Sequence, residues 1–195
     1  MKGIGKFFGA VAVVVGMSTP ALAQWELDDS QSSINFISVK NAAVAETHGF
    51  DSLMGYIGPD GNASVTINLD SVNTLIPIRD ERLRELLFET AEFPTAQITA
   101  LVDPAVLEAV ADGGSVSTEI PLSVSLHGVE KKLTAPVVVS GAKRSLRVVS
   151  ARPVIVSAAD FALDGGVEAL RAVASLAIIS TAVPVTVNLK FVYPE

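Results

Sequence analysis

Short segments in which apolar and polar residues alternate run through most of this chain, and they restrict its fold more than any other feature. The clearest is ASVTINL at residues 63–69, where Val65, Ile67 and Leu69 share one face of an extended strand. The same pattern, interrupted by turn residues, predicts further strands at 33–40, 44–57 with a bend at Gly49, 95–102, 115–126, 133–140, 146–156 and 181–193. About eight strands predict an all-β fold, and eight is the number whose closed antiparallel barrel encloses side chains or one ligand.

Three segments break the alternation and predict short helices, at 80–90, 104–111 and 166–174. In the first, Leu83, Leu86 and Leu87 form an apolar stripe opposite a charged face, and Asp80 is placed to cap the first turn. The second starts at Asp103 followed by proline, a common helix start. Because a helix this short is unstable alone in water, the stripe is expected to dock at the side or mouth of the barrel.

The N-terminus has the features of a secretion signal. Lys2 and Lys6 precede an apolar run at 7–17, and Ala21–Ala23 has the small-residue pattern of a cleavage site. The run is too short to span a bilayer, which takes about 20 residues. We therefore predict a signal peptide at 1–23, a single mature domain at 24–195 and a periplasmic location.

Composition argues against several functional classes. The formal net charge is −7, and removing the two signal-peptide lysines would make it more negative by two, which argues against nucleic acids and anionic lipid surfaces. The chain has two histidines and no cysteine, and no spacing typical of metal ligands, a nucleophile elbow or a phosphate-binding glycine loop. These observations predict a protein that is not an enzyme and that holds no metal or catalytic cofactor. Carboxylates brought together by the fold are the remaining route to a hydrolase.

Short motifs follow one another in order along residues 25–193. They are Trp25–Asp28, Ser33–Phe36, Val65–Leu69, Arg79–Asp80, Phe93–Pro94 and Leu126–Lys131. In this order the chain resembles the YceI-like family of periplasmic proteins. The resemblance implies a lipocalin-like barrel with an apolar tunnel for a polyisoprenoid or related amphiphilic lipid, and a helix packed beside the barrel after Arg79–Asp80. The segments 103–114 and 164–175 depart from the family pattern.

Candidate ligand-binding residues fall into an apolar and a polar set. The apolar candidates for the tunnel lining are Phe36, Phe50, Met54, Tyr56, Leu83, Leu86, Phe88 and Phe93, and the alternative for all of them is ordinary core. The polar candidates for a headgroup anchor are Lys40, Glu46 and His48, of which the last two share one strand face. The alternative for these is a solvated hairpin end. Arg79 either contacts the headgroup or bonds nearby carbonyls in a structural role.

Three functional hypotheses follow. The favoured one is a non-catalytic carrier that sequesters an isoprenoid, such as a polyprenyl or quinone-like lipid, inside the barrel. The second is an envelope protein-interaction module with a filled barrel, and the third is the hydrolase. The expected partner is a lipid, without nucleic acid and without stable membrane insertion. A homodimer or a complex with an envelope partner is left open.

Overall fold

The computed structural model describes residues 24–193, so the predicted signal peptide at 1–23 lies outside the described residues. Within this range the chain is built almost entirely of antiparallel strands. The strands are β1 (Trp25–Leu27), β2 (Ser33–Lys40), β3 (Val44–Phe50), β4 (Leu53–Ile57), β5 (Asn62–Asn68), β6 (Val72–Asn73), β7 (Thr95–Leu101), β8 (Ser115–Leu126), β9 (Val129–Ala142), β10 (Ser145–Ser150), β11 (Val154–Ser157) and β12 (Ala182–Val192).

The sheet closes into an eight-stranded barrel, which confirms the predicted fold class. Strand β1 pairs with β4 on one side and β12 on the other, so the ring runs β1–β4–β5–β7–β8–β9–β10–β12 and returns to β1. Strands β2 and β3 continue this wall, because β2 pairs with β12 and with β3. Closure leaves the eight strands of the ring without the unpaired edges that would otherwise favour aggregation.

Two of the predicted strands are each divided into two. The strand predicted at 44–57 breaks at Asp51 and Ser52, whose amides donate to the carbonyl and the hydroxyl of Ser71. The break lets β3 pair with β2 while β4 pairs with β1. The strand predicted at 146–156 is likewise divided into β10 and β11.

The main core lies inside the barrel. Inward-facing residues such as Val65 and Ile67 on β5 and Val137 and Val139 on β9 are buried. Burying one such side chain stabilises the fold by about 1.5–3 kcal/mol. The wall formed by β8 differs, because its inward-facing residues from Val116 to Leu126 are only half-buried. The interior is therefore less tightly filled along β8 than along β5.

The first helix begins three residues earlier than predicted. Helix α1 (Pro77–Arg82) continues as a π-helical segment, Leu83–Phe88. Pro77 occupies the first helical position, where a missing N–H costs nothing. The prediction that Asp80 caps this helix is therefore wrong. Its carboxylate instead accepts hydrogen bonds from the amide of Thr74 at 2.8 Å and its hydroxyl at 2.5 Å.

The π-helical segment is held between the barrel and a third helix, α3 (Asp164–Val173). Leu83 and Phe88 are buried in the main core, and Leu87 also contacts a smaller apolar cluster around Phe161. Helix α3 approaches closely at Gly166, where a Cβ atom would lie 2.5 Å from the carbonyl oxygen of Leu86. The apolar stripe thus docks as expected, between two partners rather than one.

Helix α2 (Pro104–Val110) lies at the other end of β7. Asp103 caps it as predicted, accepting a 2.9 Å hydrogen bond from the amide of Ala105. Val110 is fully buried in the main core, and its carbonyl oxygen would lie 1.9 Å from a Cβ atom at Gly141. Since Gly141 has the inward parity of Val137 and Val139, α2 closes this end of the interior.

Candidate functional site

A polar cluster lies on the inward face of the β2–β3 hairpin. The register pairs Phe36 with His48 and Ser38 with Glu46. These residues have the parity of Ile34, which is buried in the main core, so their side chains face the interior. Lys40 follows on the same face of β2. The prediction that Glu46 and His48 share one face is therefore confirmed, and that face is the inward one.

Arg79 joins this cluster from α1. Its Nη1 donates to the Glu46 carboxylate at 3.0 Å, and its Nη2 donates to the carbonyl of Thr74 at 2.7 Å. Lys40 forms an ion pair with the same carboxylate. The hydrogen bond from Lys40, and then that from Arg79, lowers the pKa of Glu46 against the opposing effect of burial. We call Lys40, Glu46, His48 and Arg79 the mouth cluster.

His48 is the most deeply buried member of the mouth cluster, with 5% of its surface exposed. Burial, followed by the charge of Arg79, lowers the pKa of its imidazole, so the ring is neutral at pH 7. Its Nε2 is 2.8 Å from the hydroxyl of Ser38. Within residues 24–193 its Nδ1 has no hydrogen-bond partner, and the same holds for Nε of Arg79. Two buried polar atoms of the mouth cluster therefore have no hydrogen-bond partner in this part of the chain.

Three aromatic rings lead from the mouth cluster into the barrel. The ring centroid of His48 is 5.2 Å from that of Phe36, which is 5.5 Å from Phe50, which is 6.1 Å from Phe88. Phe36 and Phe50 are half-buried, whereas Phe88 is buried. A ligand with an apolar chain and a polar end would place the polar end at the mouth cluster and the apolar chain against these rings.

The remaining apolar candidates are placed differently. Met54 and Tyr56 were predicted to line the interior, and this is wrong, because they are exposed on the outer face of β4 while Leu53 and Ile57 occupy the inward positions. Phe93 packs on the β8–β9 hairpin, with its ring 4.5 Å from that of His127. The last two apolar candidates, Leu83 and Leu86, are on the π-helical segment. Leu83 lies in the core, and Leu86 is half-buried next to α3.

Ser38 is the site residue that the sequence analysis missed. It lies two residues from Lys40, on the same face of a predicted strand, and this parity would have placed it with the other polar candidates. The contact between Arg79 and Glu46 had no comparable signal, since 33 residues separate them.

A concavity of about 790 Å³ lies elsewhere, along β5, β7 and β8. Its lining includes Ser64, Thr99 and Ser123 on one face of these strands and Ala100 and Leu122 on the other, and no member of the mouth cluster. Among the described residues there is no group of three or more side chains able to hold a metal ion. In the same range, no helix has the length and apolar character needed to cross a membrane.

The family model of the YceI-like domain matches residues 25–191. The chain belongs to this family. In the comparison with curated proteins, none matches. Among solved structures, the chain is similar to a polyisoprenoid binding domain from Saccharophagus degradans implicated in plant cell wall breakdown. That domain is 39% identical with a TM-score of 0.85, and the match covers 89% of this chain and 99% of that one.

Two less similar solved structures share the fold. BcnA of Burkholderia cenocepacia is 16% identical with a TM-score of 0.65, over 84% of this chain and 98% of its own. A YCEI protein of Campylobacter jejuni is 15% identical with a TM-score of 0.56, over 76% and 85% of the two chains.

Proposed function

We propose that this YceI-like protein is a periplasmic carrier that sequesters an isoprenoid lipid, with the chain inside the barrel and the headgroup at the mouth cluster. The observation that carries the proposal is His48, a neutral, buried histidine whose Nδ1 is unpartnered at the polar end of an aromatic path. The similarity to a polyisoprenoid binding domain supports the same ligand class.

Binding would be driven by burial of the isoprenoid chain. Each buried CH₂ contributes about 0.8 kcal/mol, so a few isoprene units suffice for tight binding without further polar groups. The half-buried inward face of β8 and the rings of Phe36 and Phe50 provide the apolar surface. Since α2 closes the far end of the interior, the chain would enter at the mouth cluster and its length would be limited by α2.

The headgroup would be held by hydrogen bonds alone. His48 Nδ1 is a donor or an acceptor depending on the tautomer, and Nε of Arg79 is a second donor. As donors, both bond a hydroxyl, carbonyl or phosphate oxygen, whereas Nδ1 as an acceptor bonds only a hydroxyl. No covalent step is part of the proposal, so the protein would retain and release its lipid unchanged.

Native mass spectrometry of the full chain, expressed in a Gram-negative host and recovered from its periplasm, tests the proposal. We expect a mature N-terminus at Gln24 and a discrete added mass that solvent extraction identifies as an isoprenoid. A protein found in the cytoplasm with its first 23 residues intact would contradict the location. A mass equal to the bare polypeptide, with thermal unfolding unaffected by added prenols or quinones, would favour the filled interaction module instead.

A further inference from the structure

Apolar side chains are exposed around the mouth cluster. Val44, Leu75, Ile76 and Ile78 form the group that we call the apolar rim, and Ile178, whose carbonyl accepts from the amide of Asn41, is 52% exposed as well. Leu75 is 87% exposed and Ile78 is 52% exposed. Scattered exposed apolar residues are normal, but a group of them beside a binding site is typical of a surface that contacts something apolar.

The backbone at Leu75 holds its side chain outward. Leu75 has a φ of +62°, a left-handed conformation that is unfavourable for a bulky residue and that glycine or asparagine adopts more readily. Its amide donates to the side-chain oxygen of Asn73 at 2.9 Å, and the preceding Thr74 is tied to Asp80. A leucine that packs on almost nothing, in a backbone better suited to asparagine, is not explained by stability of the fold.

Hydrogen bonds and strand pairing connect the apolar rim to the mouth cluster. The carbonyl of Thr74, adjacent to Leu75, accepts from Arg79, which in turn reaches Glu46. On the other side, Val44 is paired with Lys40 across the β2–β3 hairpin. The rim therefore borders the place where the lipid headgroup would lie.

We propose that the apolar rim docks on the surface of a zwitterionic phospholipid bilayer, so that the lipid passes between membrane and barrel without crossing water. The transfer of lipid in this proposal rests on the proposed carrier function, but the docking itself does not require a bound lipid.

The charges beside the rim favour a zwitterionic surface. Lys40 and Arg79 are balanced by Glu46 and Asp80, so the rim carries no local excess of positive charge. The whole chain is acidic, with a net charge of −7, and is repelled by anionic lipids. Apolar insertion would therefore drive docking, as for amphipathic segments that lie in the membrane interface.

Flotation of the purified protein with phosphatidylcholine vesicles tests the proposal. We expect the wild type to float with the vesicles, with little change between low and high salt. The variant L75N/I78N should bind roughly tenfold or more weakly, since two large side chains no longer enter the bilayer. Asparagine suits the left-handed backbone at position 75, so Leu75→Asn should leave the thermal stability unchanged or raised.

The matched control is Leu101→Asn. Leu101 is 63% exposed on β7, at the end of the barrel near α2 and remote from the rim, so this variant should float like the wild type. A wild type that stays in the soluble fraction would overturn the proposal, and so would a well-folded L75N/I78N that floats unchanged. Binding that requires anionic lipid and disappears in high salt would also overturn it.

Prenol retention measured on the same samples separates this proposal from the carrier function. Rim docking is supported if L75N/I78N loses vesicle binding but still retains prenol, while the wild type and Leu101→Asn keep both. A wild type that floats but retains no prenol would refute the carrier function and leave rim docking supported.

Discussion

Replacing His48 with phenylalanine isolates the proposed anchor from the packing around it. The substitution keeps a ring next to Phe36 and removes Nδ1, the buried atom left free for a ligand. It also removes the partner of the Ser38 hydroxyl, a 2.8 Å hydrogen bond. Leaving that hydroxyl unpaired should lower the free energy of unfolding by about 1 kcal/mol, which denaturant titration can resolve.

The expected effect on lipid binding follows from the loss of one hydrogen bond. A typical net value of about 1 kcal/mol corresponds to roughly a fivefold increase in Kd for an isoprenoid with a hydroxyl or carbonyl headgroup. Isothermal titration with a short-chain prenol, and with the matching hydrocarbon that lacks the headgroup, separates the contribution of the headgroup hydrogen bond from that of burying the apolar chain. The hydrocarbon should bind the wild type and His48→Phe equally, because only the polar contact has changed.

The double variant S38A/H48F provides the control for stability. Replacing both partners of a buried hydrogen bond with apolar groups is nearly neutral, so this protein should unfold close to the wild type while still binding the prenol weakly. If His48→Phe binds prenol and hydrocarbon with the wild-type affinities, Nδ1 of His48 is not the headgroup anchor and the reasoning is refuted.

Three further predictions concern stability. Gly141→Ala should lower the free energy of unfolding by about 1–3 kcal/mol, because its Cβ would lie 1.9 Å from the carbonyl oxygen of Val110. The control Gly165→Ala, whose Cβ would have nothing within 4 Å, should be neutral or stabilising. Equal denaturation midpoints for the two variants would contradict the close packing of α2. The lowered pKa of His48 should make a contribution to stability that is present above pH 6.5 and lost as the pH falls through its folded value, and His48→Phe should abolish this slope. Acid loss of the Glu46 interactions should appear separately, below pH 4.5, and should survive in His48→Phe.

Arg79 shows how a structural and a functional role coexist in one side chain. Sequence analysis offered either contacts to carbonyls or contact to a headgroup. The two terminal nitrogens hold Thr74 and Glu46, which confirms the carbonyl contact, while Nε stays buried without a partner in the described part of the chain. The guanidinium fork thus fixes α1 against β3 and leaves one donor for the proposed ligand.

Much of the fold could be predicted because its signals are local. Alternation predicted β5, β7, β8 and β12 to within a residue or two, and the Asp103–Pro104 start predicted α2. The errors arose where distant parts of the chain decide the outcome. Amides at Asp51 and Ser52 bond Ser71 and split one strand, and Thr74 takes the carboxylate of Asp80 away from a capping role.

The candidate site was predicted in part for the same reason. Strand parity placed Glu46 and His48 on one face, but parity alone does not say which face is inward. Met54 and Tyr56 were assigned to the interior because large apolar residues are usually buried, whereas the barrel gives the inward positions on β4 to Leu53 and Ile57.

The sequence by itself determined the all-β class, the alternating faces of most strands and the approximate positions of the three short helices, because these depend on neighbours within a few residues. The tertiary structure alone decided which faces enclose the interior, that α2 closes one end, and that Arg79 meets Glu46 from a helix 33 residues away. Long-range strand pairing sets all three. Pairing β1 with both β4 and β12 closes the barrel, and pairing β3 with β6 brings α1 beside Glu46.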